Sequence, residues 1–259
     1  AIDGRSRLVA GRRSGLWEFD GVTWQPVAGA VEDKRLLNIY SLCESRYPDG
    51  STVLWCGSLD GWTYRYEKGQ LRAFGSAESP KDGGVWSLLA SGDDRGTHLL
   101  WIGTAGLGLI RAQFGAWTAI DRSAGLVNDS VYSMLVTRDR HGDDVAWIGT
   151  LNGGLVRFER GGPTSITYPD GGRIPWVQSL LDLSDGQTER MLAGRGGALV
   201  LIENGKVTRE FGVRDGLPGK DVTSLLRTTD PNGRVFAWVG ADGGIFRFMN
   251  GELLPPPPA

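Results

Sequence analysis

A glycine that follows an apolar run recurs along the whole chain at almost constant spacing. The clearest copy is the segment AWIGTLNGGLVRFERG at residues 146–161, in which an apolar run, a turn through Asn152 and Gly153, and an alternating run form the pattern of a β-hairpin. The copies of its glycine are separated by 46, 46, 46, 45 and 46 residues, and they are Gly11, Gly57, Gly103, Gly149, Gly194 and Gly240. A period of this length built from strand-like units is typical of a propeller or a solenoid.

Each repeat carries a second fixed point, a serine that lies 30 residues after the preceding glycine. These serines are Ser41, Ser87, Ser133, Ser179 and Ser224. We predict a first strand (A) around the serine, a second strand (B) ending near the glycine, an alternating third strand (C) and a short fourth strand (D), joined by turns. Four antiparallel strands per repeat without helical periodicity predict an all-β fold, a β-propeller of four-stranded antiparallel blades.

The repeats run through the chain without a change of composition, and we therefore predict one propeller domain over residues 1–259. Its six repeats cover approximately residues 1–30, 36–75, 82–121, 128–169, 175–212 and 220–255. Gly4 lies 46 residues before Gly50, in the turn after strand A, so we expect the first blade to lack that strand. The prolines at 255–258 cannot supply it, because proline donates no backbone hydrogen bond. We expect either six blades with an incomplete first one or a fragment of a larger propeller.

Charge and cysteine content limit the classes of partner. The formal net charge is −2 and the sequence pI is near 5.8, which argues against nucleic acid and anionic membranes, since both favour a basic surface. The longest apolar runs have five to seven residues, the length of a strand. Cys43 and Cys56 are predicted on adjacent strands, either as two small buried side chains or as a cross-strand disulfide.

Two segments resemble a known family. The run AGLVNDSVYSMLVTRDRHGDDVAWIGTLNGGLVRFERG at 124–161 and the run DGLPGKDVTSLLRTTDPNGRVFAWVGADGGIFRFMNG at 215–251 resemble the two-component regulator propeller repeat. Its pattern has a Gly-Leu-Pro element, a strand with V-x-S/T, and then LWIGT-x-x-GG-L-x-R/K-F. Weaker copies cover the rest of the chain, where Val9 and Leu192 replace the tryptophan and residues 33–38 and 171–175 lack Gly-Leu-Pro.

The resemblance implies a function and a location. It implies the periplasmic or extracellular sensor region of a bacterial membrane receptor with a histidine kinase or diguanylate cyclase output, in contact with the membrane only through other parts of the parent protein. The leading hypothesis is a non-enzymatic sensory propeller that binds a carbohydrate or another small ligand. The alternatives are a protein-interaction or dimerisation scaffold, which could form a homodimer, and a propeller lyase or glycoside hydrolase. We find no catalytic signature, no metal-ligand spacing and no cofactor motif, and expect neither metal nor cofactor.

The candidate ligand site lies at the end of each blade where the D-to-A and B-to-C loops meet. Aromatic rings beside aspartate, asparagine and arginine suit a sugar, whose ring faces stack while its hydroxyls form hydrogen bonds. The candidates are Tyr40, Trp86, Asn128, Asp129, Tyr132, Asn152, Arg173, Trp176, Arg195, Asp215 and Asp242. The alternative is that these are ordinary loop residues of a propeller rim.

Other recurring residues are interpreted as structural. Tryptophans at one position of strand B are predicted to pack blade against blade, namely Trp55, Trp101, Trp147 and Trp238. Arginines of strand C are predicted to form an outward, solvated face, namely Arg65, Arg157 and Arg247. His98 and His141 fall in A-to-B turns, at the opposite end from the candidate site, and are interpreted as exposed.

Overall fold

A computed structural model of the chain describes residues 8–27, 38–47, 49–74, 83–92, 98–113, 116–139, 141–159, 162–185 and 187–255. The structure forms two compact units, Ala1–Ala124 with Asp129–Val131 and Gly125–Asn128 with Tyr132–Ala259. Apart from strands, the described residues contain only two three-residue 3-10 turns, Arg122–Ala124 and Val213–Asp215. Among the residues that the structure describes, no helix is long and apolar enough to cross a membrane.

The first unit contains three antiparallel sheets in which strands adjacent in sequence are adjacent in the sheet. Sheet 1 has three described strands, β1 (Leu8–Arg12), β2 (Gly15–Phe19) and β3 (Trp24–Pro26). Sheet 2 consists of β4 (Ile39–Arg46), β5 (Thr52–Ser58), β6 (Thr63–Glu67) and β7 (Gln70–Ala73). Sheet 3 consists of β8 (Val85–Gly92), β9 (His98–Thr104), β10 (Leu109–Gln113) and β11 (Ala116–Ile120).

The second unit contains three four-stranded sheets of the same order, except that the first residue of β12 belongs to the first unit. Sheet 4 consists of β12 (Val131–Arg138), β13 (Asp144–Thr150), β14 (Gly154–Glu159) and β15 (Gly162–Ile166). Sheet 5 consists of β16 (Val177–Asp182), β17 (Arg190–Arg195), β18 (Ala198–Glu203) and β19 (Lys206–Phe211). Sheet 6 consists of β20 (Val222–Thr229), β21 (Val235–Ala241), β22 (Gly244–Met249) and β23 (Glu252–Leu254). The predicted repeat of four antiparallel strands is confirmed in sheets 2 to 6. Residues 1–7, on which the expected absence of strand A from the first copy depends, lie outside the described residues.

The serine and glycine of three repeats hold neighbouring sheets of a unit together. The Ser41 hydroxyl donates a hydrogen bond to the Val85 carbonyl oxygen of the next sheet, 3.2 Å away. Ser133 bonds the Val177 carbonyl in the same way at 2.9 Å, and Ser179 bonds that of Val222 at 3.2 Å. The glycine opposite each serine leaves room for this contact, because a Cβ atom on Gly57 would lie 2.8 Å from the Val85 Cβ atom. The constant spacing of the sequence therefore reflects one repeated contact between sheets.

The apolar core lies between successive sheets. One cluster joins sheets 4 and 5 and includes Trp147, Val177, Met191 and Ala193, all fully buried. Trp55 belongs to the corresponding cluster between sheets 2 and 3, and Trp101 is also buried. The predicted packing role is confirmed for Trp55 and Trp147, whereas Trp238 in sheet 6 is only half-buried.

The arginines of the third strand differ from the prediction. The Arg157 guanidinium lies 5.5 Å from the centre of the Trp147 ring, and Arg65 and Arg111 lie 5.9 Å from Trp55 and Trp101. Only 22% of the Arg157 side chain is exposed, and it pairs with Glu159 at 2.8 Å. The prediction that these arginines form a solvated face was wrong. Each arginine is the cross-strand neighbour of a tryptophan, and a cation is favoured over the face of the tryptophan ring.

Candidate functional site

The turn between the second and third strands lies beside the segment that leads into the first strand. In sheet 2 the Leu59 amide donates a hydrogen bond to the Asn38 carbonyl oxygen at 3.0 Å, and in sheet 6 the Asp242 amide bonds that of Asp221 at 3.1 Å. We call this end of each sheet its loop end. The candidate ligand site is predicted at the loop end, and in sheets 2 and 6 its two loops meet as expected.

The loop ends of sheets 2 and 3 expose large apolar side chains. Tyr40 is 48% exposed, Leu59 43% and Leu107 41%. The Ala105 amide bonds the Gly84 carbonyl at 2.9 Å, a Cβ on Gly84 would lie 2.7 Å from the Leu59 oxygen, and one on Gly83 would lie 3.1 Å from the Leu107 Cγ atom. These contacts make the loops of the two sheets one continuous surface. We call Tyr40, Leu59, Leu107 and the half-buried Trp86 the apolar loop surface.

The register between the first and second strands shifts at Tyr40 and at Trp86. Each is the extra residue of a β-bulge at the start of the first strand, between Ile39 and Ser41 and between Val85 and Ser87. At a bulge two residues lie opposite one residue of the partner strand, and the side chain of the extra residue is redirected. Gln178 and Thr223 occupy the same position in sheets 5 and 6.

Polar groups border the apolar loop surface and bind each other. The Asn38 side-chain amide donates to the Asp60 carboxylate at 3.3 Å. The Asp129 carboxylate accepts the Arg122 amide at 2.9 Å and pairs with the Arg122 guanidinium at 3.0 Å, while its backbone oxygen accepts the Gly108 amide at 2.8 Å. Asp129, a predicted ligand residue, therefore orders the 3-10 turn and the neighbouring loop.

In the second unit the structure brings two of the predicted aromatic residues together. The Tyr132 and Trp176 rings lie 6.3 Å apart, edge to face at 83°. Trp176 has a φ of 41° and is 36% exposed. Gln178, two residues later, is 8% exposed, and its Nε2 atom has no hydrogen-bond acceptor. Sequence analysis missed Gln178, although its position in the repeat matches that of Tyr40, Trp86 and Tyr132.

Arg195 is engaged by its own sheet and the preceding loop. Its guanidinium binds the Glu210 carboxylate at 2.7 Å and the Tyr168 hydroxyl at 3.1 Å, and Tyr168 also binds Glu210. Burial, followed by the hydrogen bond to Glu210, raises the pKa of Tyr168 to about 12. Burial lowers the pKa of Arg195, but the Glu210 and Tyr168 contacts outweigh it and the net shift is upward. This predicted ligand residue belongs to an internal ionic cluster.

Asp215 also has a local structural role. Its carboxylate accepts the Gly212 amide at 3.0 Å and a hydrogen bond from Arg209 at 3.3 Å. The Gly212 amide, then Arg209, lowers the pKa of Asp215 below its ordinary value. The carboxylate thus binds the backbone amide that precedes the second 3-10 turn.

The remaining predicted residues lie at separate loops of the second unit. Asn152 is exposed in the turn after β13, and Asn128 packs against Gly153 of that turn. Arg173 lies beside Gly154, the first residue of β14. Asp242 is exposed in the turn after β21. The loop end of sheet 4 therefore gathers Asn128, Asn152 and Arg173.

An open polar cleft lies at the other end of sheets 4 and 5. Its volume is about 600 Å³. It is lined by Thr137, Arg138, Asp139, His141, Arg157, Glu159, Asp182, Ser184, Gln187, Thr188, Glu189 and Asn204. Four carboxylates face two guanidinium groups, and none of these lining residues is Phe, Tyr or Trp. Arg157 spans the sheets by pairing with Glu159 at 2.8 Å and Glu189 at 3.3 Å.

The cleft was not predicted, because it arises where two A-to-B turns meet. His141 was correctly placed in one of these turns. His98 was predicted in such a turn too, but it is the first residue of β9, and its side chain lies outside the described residues. Within the described ranges, no three His, Cys, Asp or Glu side chains are grouped so as to hold a metal ion.

Comparison with known proteins identifies the fold. No family model matches the sequence, and no curated protein matches it. Among solved structures, BBS1N in complex with ARL6DN is 10% identical with a TM-score of 0.63, over 96% of this chain and 74% of that chain. The computationally designed Ika8 protein is 15% identical with a TM-score of 0.61, over 96% of this chain and 69% of that one. The WD40 β-propeller domain of Doa1 is 18% identical with a TM-score of 0.56, over 98% and 79%. The predicted all-β propeller class is confirmed, and at these identities the likeness concerns the fold alone.

Proposed function

We propose that this chain is a protein-interaction propeller that binds a partner protein through the apolar loop surface of its first unit. The observation that carries the proposal is the exposure of Tyr40, Leu59 and Leu107, each more than 40% exposed, at the adjoining loop ends of sheets 2 and 3. Contiguous apolar side chains with a polar border are typical of protein-binding surfaces. Asp60 and the Asp129–Arg122 pair provide that border.

The engagement of the predicted polar ligand residues supports this choice over a sugar site at the loop ends. The side chains of Asp129, Arg195 and Asp215 all bind groups of their own unit. A ligand would have to displace these contacts, and each lost charge-assisted bond costs free energy. The fold neighbours add support of a general kind, since one of them, BBS1N, was solved in complex with ARL6DN.

Site-specific photo-crosslinking in cells of the source organism tests the proposal. The photoreactive residue p-benzoylphenylalanine replaces Leu59 in the apolar loop surface, and in a matched control it replaces Gln70, an exposed residue at the other end of the same sheet. We expect one or a few proteins to be crosslinked from position 59, and the substitution Leu107→Asp to abolish the crosslink. The same products from both positions, or products that survive Leu107→Asp, would overturn the proposal.

The sensory function implied by the family resemblance is a second candidate, favoured by the cleft of sheets 4 and 5. Its volume of about 600 Å³ is in the range of small-molecule sites. A panel of neutral sugars and oligosaccharides tests it by thermal shift, because a ligand that binds only the folded state raises the melting temperature. A shift that Glu189→Gln removes would support it, and no shift with any member would count against it. Its periplasmic or extracellular location and the absence of enzyme activity stay predictions.

A further inference from the structure

Gln178 carries a buried hydrogen-bond donor that its surroundings do not satisfy. Its side chain is 8% exposed, and none of the described residues offers an acceptor to the Nε2 atom. The Nε atoms of Arg65 and Arg157 lack acceptors too, but these guanidinium groups lie over tryptophan rings. An unpaired buried amide costs free energy of folding, so Gln178 points to a partner outside the chain.

The burial of Gln178 is an exception at its place in the repeat. The residues directly before the repeat serines are Tyr40, Trp86, Tyr132, Gln178 and Thr223. The side chains of the other four are half-buried or exposed. Tyr132 holds this place in sheet 4, next to sheet 5, and its ring contacts that of Trp176 at 6.3 Å. The loop ends of these two sheets thus combine an aromatic pair with an unsatisfied donor.

Trp176 has a strained backbone conformation two residues before Gln178. Its φ of 41° lies in the left-handed region, which is unfavourable for a bulky side chain. The other repeats have smaller residues at this place, namely Asn38, Gly84, Ser130 and Asp221. The tryptophan is nevertheless 36% exposed. A bulky residue that is held under strain and left accessible is typical of a ligand-binding position.

The hydrogen-bonding groups around Gln178 restrict the chemistry of the ligand. Val177, the preceding residue, lies opposite Arg195 in the strand register. Arg195 donates hydrogen bonds to both carboxylate oxygens of Glu210. This carboxylate acceptor is therefore occupied, whereas the Gln178 donor is free. A ligand that offers acceptors and few donors suits the site better than a sugar, whose hydroxyl groups also need acceptors.

We propose that Tyr132, Trp176 and Gln178 bind a proline-rich segment of a partner protein. Proline has a backbone carbonyl group but no N–H group, so a run of prolines offers acceptors alone. Such a run forms an extended polyproline II helix that docks on exposed aromatic side chains. A prolyl carbonyl oxygen accepts the Gln178 amide hydrogen while proline rings pack on Trp176. The site lies in the second unit, apart from the apolar loop surface, and the inference does not depend on the proposed function.

Fluorescence anisotropy of a fluorescein-labelled proline decamer, titrated with the full chain, tests the inference. We expect saturable binding of this peptide and none of a labelled glycine–serine decamer, which is flexible and rich in N–H groups. Gln178→Met keeps the side-chain length but removes the donor, and it should weaken binding about tenfold. Trp176→Asn removes the ring and should weaken binding at least as much. Trp24→Asn is the matched control, because it removes a tryptophan that is 40% exposed in the first unit, and it should leave the affinity unchanged.

Thermal unfolding without peptide separates ligand binding from a structural role of Gln178. The melting temperature of Gln178→Met should equal or exceed that of the original protein, because the variant loses an unpaired buried donor. A lower melting temperature with unchanged peptide affinity would show that Nε2 holds a structural water, and would overturn the inference.

Three further results would also overturn it. They are no saturable binding of the proline decamer, equal binding of both peptides, and a sugar-induced thermal shift that Gln178→Met removes, which would assign the site to a carbohydrate. Leu107→Asp, in the apolar loop surface, should leave binding of the decamer unchanged, so failure of the proposed function and failure of this inference are distinguishable.

Discussion

The Ser133 hydroxyl donates a hydrogen bond to the Val177 carbonyl oxygen, 2.9 Å away and 44 positions along the chain. The bond joins the first strand of sheet 4 to the first strand of sheet 5, and it repeats between sheets 2 and 3 and between sheets 5 and 6. A side chain thus satisfies a backbone carbonyl at the start of the next repeat. This contact explains why the serine keeps its place in a chain whose other residues vary from repeat to repeat.

Replacing Ser133 by alanine should destabilise the second unit. Ser133 is 8% exposed, and the substitution removes a buried hydrogen bond between sheets. We expect the free energy of unfolding to fall by about 1 to 2 kcal/mol in a denaturant titration. Ser224→Ala is the matched control, because Ser224 is exposed and should tolerate the change. Equal effects of the two substitutions would contradict the role of the contact.

Replacing Gly149 by alanine should crowd the same contact. The new Cβ atom would touch the Ser133 Oγ atom and lie 2.8 Å from the Val177 Cγ1 atom, so sheet 5 would have to move. We expect a loss of about 1 to 3 kcal/mol, as for other overpacked cores. At Gly240 the three atoms nearest to the added Cβ would all belong to Ser224, which is exposed and whose side chain can rotate away. Gly240→Ala should therefore cost clearly less in the same measurement, and a similar cost at both positions would argue against crowding between sheets.

Most of the fold could be predicted because the repeat marks its own strands. Gly149 and Ser133 keep their spacing since both belong to one contact between sheets, and the tryptophans follow because Trp147 fills the same interface. The prediction that the arginines of the third strand are solvated was wrong for a reason that the alternation of side chains does not reveal. Alternation gives the face of a sheet on which Arg157 lies, but not that the indole of Trp147 beneath it makes this face half-buried.

The candidate site was harder to predict, because its chemistry depends on hydrogen bonds between residues far apart in the repeat pattern. Sequence alone could not show that Glu210 would engage Arg195 or that Arg122 would engage Asp129. Leu59 and Leu107 were missed because a search for sugar-binding groups favours polar and aromatic residues over exposed leucines. The β-bulge at Tyr40 and Trp86 could not be predicted from the sequence either, although it redirects both side chains.

The Asp230 carboxylate should make stability depend on pH in acid. It accepts the Asn232 and Arg234 amides at 2.9 Å each and the Arg234 guanidinium at 2.7 Å. The Arg234 amide is the main cause that lowers the pKa of Asp230 from its ordinary 3.8. A lowered pKa stabilises the folded state above the unfolded-state value, and this stabilisation is lost as the pH falls through the folded-state value.

Asp230→Asn tests this dependence by scanning calorimetry. At about pH 6 the variant should have a lower melting temperature than the original protein. The difference should shrink as the pH falls below about 3.8, because the Asp230 carboxylate is then protonated and as neutral as the asparagine of the variant. A difference in melting temperature that stays constant through this range would show that the charge of Asp230 makes no contribution.

Cys56 should be inert and unpaired in the folded protein. Burial raises the pKa of its thiol to about 12, so at about pH 8 only on the order of one molecule in ten thousand carries the reactive thiolate. The cross-strand disulfide considered from sequence does not form, because Cys43 lies opposite Trp55 and Cys56 opposite Leu42, which places the two sulfurs on opposite faces of sheet 2. Cys43 is less buried, and its sulfur accepts the Ala90 amide at 3.1 Å.

Alkylation by iodoacetamide, followed by mass spectrometry, measures this difference. In the Cys43→Ser variant, Cys56 should stay unmodified in the folded protein and react fully after unfolding in guanidinium chloride, since unfolding restores an ordinary thiol pKa. In the Cys56→Ser variant, Cys43 should react at a measurable rate in the folded state, although burial raises the pKa of its thiol as well. Rapid labelling of Cys56 in the folded protein would mean that the contact between sheets 1 and 2, where Cys56 is completely buried, opens readily.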